Sequence, residues 1–193
     1  MTGMIGSGKS FVRNCFQELG AKCFSADELA REVIAPNTDG LKQVVEAFGS
    51  SILLENGEIN RQALASQIFS SPEKRQLLEQ IIHPRVRSRE LELLQENSHH
   101  PLVVIEIPLL FETQAEELFD VVVMVTCDEA IRHERLMNSR GFTLEQIRAR
   151  EAAQWTEPQK TALADFVINN SWSREETRNQ VASLTEHLLS TED

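Results

Sequence analysis

Gly3-Met4-Ile5-Gly6-Ser7-Gly8-Lys9-Ser10 decides how this chain is read. The stretch fits G-x-x-x-x-G-K-[ST], the spacing of a phosphate-binding loop. Glycines at Gly3, Gly6 and Gly8 permit positive φ, so that successive backbone N–H groups, Ser7 included, turn toward phosphate oxygens. Lys9 is placed to reach the β- and γ-phosphates of a nucleotide, and the Ser10 hydroxyl to ligate magnesium. A helix should follow, with its positive end facing the same anion. Phe11, Val12, Cys15, Phe16 and Leu19 recur at helical spacing, and Gly20 supplies a stop.

The usual context of such a loop is strand, loop, helix. Here only Met1 and Thr2 precede Gly3. The delivering strand is central and buried on both faces in this fold class, and two residues are too few to build it. The first strand is therefore expected to be missing from this chain. The natural protein is expected to begin upstream, the alternative being a gapped sheet.

Beyond the loop, Ala21-Lys22-Cys23-Phe24 reads as a short strand. Ser25-Ala26-Asp27-Glu28 reads as a capping box opening a helix through Val33. Residues 36–100 carry no strand-like run. Leu41, Val44, Val45 and Phe48 make an apolar helical face, Asn56-Gly57 a turn, and Ser71-Pro72-Glu73 a helix start. His83-Pro84 interrupts the periodicity. Strand character returns at residues 102–107, 121–125 and 166–168. Helical stretches lie between them, with Asp128 and Thr143 as N-caps and Thr143-x-x-Gln146 as a second capping box. The alternation predicts an α/β fold with a parallel sheet, carrying a helical insertion and closed by a helix with a polar end.

At 193 residues, 41% hydrophobic and 25% charged, the chain has room for one α/β core plus that insertion. Its net charge of −11 argues against nucleic acid as a partner. No apolar run is long enough to cross a membrane, and the Gly/Ser-rich start with Lys9 is no signal peptide. Cys15, Cys23 and Cys127 lie far apart with no C-x-x-C, as expected of small core side chains in a reducing, cytoplasmic setting.

An acidic protein that handles polyphosphates must gather positive charge locally. Arg132, Arg135, Arg140, Arg148 and Arg150 lie in a segment whose only acids are Glu134 and Glu145. Guanidinium forks suit phosphate oxygens, and Arg140-Gly141 at a helix end suits a flap; a solvated helical face explains the same charges. Asp27, just past a strand end, can accept a proton or help hold magnesium, and equally can serve the helix dipole. Glu106 ends the first strong strand, where an acid near the metal is often found. His99-His100 is read as an exposed loop.

Several of these stretches together resemble the dephospho-coenzyme A kinase family. They are Gly6-Ser7-Gly8-Lys9-Ser10, Ser25-Ala26-Asp27 with Arg31, His83-Pro84 with Arg87, Pro108-Leu109-Leu110-Phe111-Glu112, Arg150 with Gln154, and Ala164-Asp165 with Val167-Ile168. The resemblance implies a three-layer α/β/α P-loop NTPase fold. The nucleotide core would comprise residues 1–30 and 101–193, with a lid at about 132–160, and residues 31–100 would form a helical acceptor-binding region. It implies transfer of the γ-phosphoryl of ATP to the 3′-hydroxyl of dephospho-coenzyme A, the last step of coenzyme A synthesis, with magnesium as cofactor. Asp27 matches the family's base, Lys9 and Ser10 its phosphate and magnesium contacts, and Arg140 a lid arginine. Arg31, His83 and Arg87 would face the acceptor together with Asp27, and Asn170 and Phe11 would border ATP. Ser25 stands where the family commonly has Asp, Phe11 where it has a small hydroxyl residue, and Asn169-Asn170-Ser171-Trp172 departs from the usual pattern. Another P-loop nucleoside or nucleotide kinase, or a nucleotide binder without transfer activity, remains the alternative.

Overall fold

The structure is a computed structural model describing residues 1–69 and 71–190. The last residues of the polar end expected of the closing helix lie outside that range. The chain forms two compact units, Met1–Phe24 with Asn97–Asp193, and Ser25–Glu96. The boundaries expected at 31 and 100 fall a few residues earlier, at Ser25 and Glu96.

In the first unit the apolar runs become the strands β1 (Thr2–Gly3), β2 (Lys22–Ser25), β3 (Val103–Glu106), β4 (Val123–Thr126) and β5 (Phe166–Asn169). β1, β4 and β5 pair in parallel in the order β1-β4-β5, with Thr2 opposite Met124 and Val123 opposite Phe166, while β2 pairs with β3. The strand expected to be missing is thus present in a two-residue form. Backbone direction explains how so short a strand suffices, because each residue bonds to one neighbouring strand through both its N–H and its C=O. The Met1 nitrogen donates to Ile105 O at 2.9 Å and Ile107 N–H donates to Met1 O at 2.9 Å. Met1 therefore bridges β3 while Thr2 and Gly3 pair with β4, and the sheet has no gap.

The helices of this unit are α1 (Lys9–Glu18), α6 (Glu129–Arg140), α7 (Leu144–Glu151), α8 (Glu157–Thr161) and α9 (Arg174–Ser190). Helices α1 and α9 pack on each other, on β3 and on β5. Their apolar stripes meet the sheet in a core of Val12, Cys15, Phe16, Val104, Val123, Val125, Ile168, Val181 and Leu184. The three cysteines are free, with Cys15 and Cys127 buried. Thr143 makes both halves of its capping box with Gln146. Asp128 stands at the N-cap of α6 without a side-chain cap bond.

The second unit holds α2 (Ala26–Glu32), α3 (Asp39–Phe48), α4 (Arg61–Phe69) and α5 (Pro72–Glu96). They close around Val44, Phe48, Ile52, Leu64 and Ile81. Helix α2 starts where expected, but Ser25 makes no cap hydrogen bond, so the expected capping box does not form. The Asn56-Gly57 turn is present, with Leu54 N–H donating to Glu58 O at 2.8 Å. Pro84 does not end its helix. Helix α5 runs through it because packing against α2, α3 and α4 holds both halves, and the Arg85 guanidinium donates to Ile81 O at 2.5 Å beside the interrupted ladder.

Candidate active site

The phosphate-loop segment turns immediately after β1. Ser7 N–H donates to Met4 O at 3.1 Å, and Gly8 sits at φ 88°, ψ 25°, from which Phe11 and Val12 start the α1 ladder on Gly8 O. This left-handed conformation is one that glycine adopts without strain. Helix α1 has no side-chain cap and no acid in its first turn. No side chain therefore competes with an anion at the N-terminal end of this helix. Lys9 is buried, and its ammonium donates to Gly3 O and Met4 O at 3.0 Å each, arching over the loop.

Side chains from distant segments hold the outside of this loop. Asn170 Nδ2 donates to Ser7 O at 2.7 Å, and Thr177 Oγ1 donates to Asn170 Oδ1 at 3.0 Å. Arg132 donates to Ile5 O at 3.2 Å and Gln154 Oε1 accepts from Ile5 N–H at 2.9 Å. A Cβ on Gly8 would overlap Asn170 Nδ2, and one on Gly6 would lie 2.9 Å from Leu136 Cγ. The amide of Asn170 is thus bonded at both ends within the protein, which gives it a supporting position behind the loop. Arg135 adds a bond to Asn170 O at 3.0 Å.

Beside the loop, Ser10 Oγ donates to Glu106 Oε1 at 3.2 Å. The other carboxylate oxygen, Oε2, is buried without a hydrogen bond and lies 3.6 Å from Arg13. A hydroxyl next to a carboxylate is a hard, oxygen-only donor set, suited to magnesium rather than to zinc or copper. Among the described residues no group of three or more His, Cys, Asp or Glu could hold a metal ion. The rings of His99 and His100 lie 4.4 Å apart, tilted against each other.

The Pro108–Glu112 stretch anchors the segment after α7. Pro108 O accepts from Thr2 Oγ1 at 3.3 Å, Gln154 Nε2 at 3.3 Å and Lys160 Nζ at 3.0 Å. Lys160, fully buried, pairs with Glu112 at 2.8 Å, and Glu112 Oε1 also accepts from Trp155 N–H at 2.7 Å. Phe111 stacks on Trp155, with ring centroids 6.2 Å apart.

The five arginines of the basic segment divide in use. Arg132 is buried against Ile5 O, Cys127 O and Glu151, and Arg135 reaches Asn170 and Cys127. Arg150 lies over the Phe142 ring at 4.3 Å. Arg140 and Arg148 are exposed. Phe11 is half-buried, with the Arg174 and Arg178 guanidiniums over its ring at 5.6 and 5.4 Å.

In the second unit, Asp27 is exposed in the first turn of α2 and Arg31 is exposed one turn further on the same face. His83 and Arg87 are likewise exposed and one turn apart on α5. Structure thus gathers Lys9, Ser10, Glu106 and Asn170 around the loop, and sets the four acceptor-side candidates as two pairs on two helices. Arg132, Lys160 and Thr177 were not legible as site residues from sequence. Arg132 was legible only as part of a basic run, and a lone Thr in a polar helix carried no signal.

A phosphate loop at the end of a parallel strand, with a helix N-terminus behind it and a lysine over it, defines a P-loop kinase core. A shikimate kinase from Acinetobacter baumannii shares the fold at TM-score 0.53 and 17% identity, covering 98% of this chain and 91% of that one. The sequence profile of the dephospho-CoA kinase family matches residues 1–176. A dephospho-CoA kinase of Geobacillus kaustophilus is 45% identical over 187 residues, 95% of this chain and 92% of the relative. The structure of a dephospho-CoA kinase from Campylobacter jejuni superposes with TM-score 0.75 at 27% identity, covering 100% of this chain and 96% of that one. The chain belongs to the dephospho-CoA kinase family.

Proposed function

We propose that this protein transfers the γ-phosphoryl group of ATP to the ribose 3′-hydroxyl of dephospho-CoA, giving CoA and ADP. Family membership supports the acceptor. The observation that carries the reaction type is the formed loop, with Lys9 buried over Gly3 O and Met4 O and the α1 amides uncapped.

In this reading Gly3, Gly6, Ser7, Gly8, Lys9 and Ser10 hold the phosphates, the backbone through its N–H groups and Lys9 through its charge. Asp27 takes the proton of the 3′-hydroxyl as that oxygen attacks the γ-phosphorus, and the bond to the β,γ-bridging oxygen breaks to release ADP. Arg140, exposed and at a helix end, closes over the transferring group and lowers its charge. Arg31, His83 and Arg87 bind the acceptor, and Phe11 borders the nucleotide. Ser10 and Glu106 would hold magnesium, which would neutralise phosphate charge. Little covalent chemistry falls to the protein; alignment of acceptor and donor supplies most of the rate. The cytoplasm suits three free cysteines, and no helix among the described residues is long and apolar enough to cross a membrane.

The test is a competition. Equimolar dephospho-CoA, AMP and adenosine are offered with magnesium and ATP, and products are weighed by mass spectrometry. One added phosphoryl group on dephospho-CoA, with the other two acceptors unchanged, is expected. Phosphorylation of AMP or adenosine would overturn the acceptor, and ADP binding without any product would leave a nucleotide binder.

A further inference from the structure

Thr177 lies on α9, far in sequence from the phosphate loop, and is fully buried. It reaches the loop through Asn170, itself buried just beyond β5. The direction of that route follows from chemistry. Ser7 O can only accept, so the amide end facing it at 2.7 Å must be Nδ2. Asn170 Oδ1 then faces Thr177, and the Thr177 hydroxyl must donate to it, at 3.0 Å. Ser173 O, at 3.3 Å, is the longer alternative for the same proton.

The consequence falls on one peptide plane. In a trans peptide the carbonyl of Ser7 and the N–H of Gly8 point in opposite directions. Holding Ser7 O outward against Asn170 therefore aims Gly8 N–H to the other side. Gly8 is fixed there at φ 88°, with Asn170 Nδ2 occupying the space a Cβ would need.

We propose that Thr177 is a positioning residue for nucleotide binding, which acts by fixing the amide orientation of Asn170 and through it the direction of the Gly8 N–H. Without the hydroxyl, the Asn170 amide has no partner for Oδ1 and is released to turn, which sets one carbonyl oxygen against another at Ser7. The proposal rests on the phosphate-loop reading above; ADP binding by the unaltered protein tests that reading separately.

The experiment compares Thr177→Val, which keeps the shape, with Thr177→Ser, which keeps the hydroxyl. ADP affinity is measured by calorimetry, KM for ATP and for dephospho-CoA by steady-state kinetics, and Tm for each variant. Thr177→Val is expected to weaken ADP and raise KM for ATP by about threefold to tenfold, the size of one buried hydrogen bond. KM for dephospho-CoA should stay within about twofold, and Thr177→Ser should restore ADP affinity. Thr177→Val with unchanged ADP affinity would overturn the proposal. So would equal loss in Thr177→Ser and Thr177→Val, or a parallel rise in both KM values, since either marks a packing role alone.

Discussion

The two units handle polar groups in opposite ways. Around the phosphate loop, the important side chains are buried and already bonded: Lys9 to two carbonyls, Asn170 to Ser7 and Thr177, Arg132 to Ile5 and Glu151, Lys160 to Glu112. On the helical unit, Asp27, Arg31, His83 and Arg87 stand exposed on α2 and α5. Glu90, buried in that unit, is opposed by its own desolvation. A phosphate cradle must have its dipoles aimed before the anion arrives, because reorganising them would consume the binding energy. An acceptor site built from surface side chains on helices can be completed by the substrate itself.

That contrast is broken most severely at Lys9. Lys9→Met removes the cation over the loop and both of its hydrogen bonds, and turnover should fall by about 10²- to 10³-fold with ADP affinity weakened in parallel. Steady-state rates and ADP calorimetry read both. Loss of turnover with ADP affinity intact would mean that Lys9 does not shape the cradle.

Next in size is the buried pair behind the loop. Lys160→Met leaves the Glu112 carboxylate without its cation, and should cost about 3–5 kcal/mol of stability in denaturant unfolding. The double variant Lys160→Met, Glu112→Gln should recover part of it. A single variant as stable as the double would show that the pair is solvated and the two units are less different than described.

Glu90 sharpens the comparison from the other side. Burial raises its carboxyl to about 7, with Arg87 pulling the other way. An acid whose folded pKa is raised stabilises the fold most below its unfolded value. That contribution is lost as pH rises from about 4.5 through about 7, because the unfolded chain gives up the proton first. Stability relative to Glu90→Gln should therefore fall across that window by up to about 3 kcal/mol and level off above it. A flat difference between pH 4.5 and 8 would place Glu90 in solvent.

Legibility followed the range of the contacts. The loop was readable because glycine spacing, lysine and helix lie in one unbroken stretch from Gly3 to Glu18, and the Thr143–Gln146 box because a cap is local. The short β1 was misjudged since its pairing depends on β3 and β4, more than a hundred residues away. Ser25 has the residues of a capping box but not its bonds, and Pro84 interrupts the helical pattern but not the helix, which its neighbours hold. Thr177 is legible only once Asn170 and Ser7 are seen side by side, a contact that no spacing encodes. The Ser10–Glu106 contact was hidden for the same reason, though the loop motif suggested Ser10 and a strand end suggested Glu106.

The most direct test of this division of labour is Asp27→Asn, with ADP affinity and turnover measured on the same preparation. Binding within about twofold of the unaltered protein, with turnover reduced by about 10²- to 10⁴-fold, is the predicted result. Near-normal turnover would remove Asp27 as the base, and a matching loss of ADP affinity would show that the helical unit helps to build the nucleotide cradle.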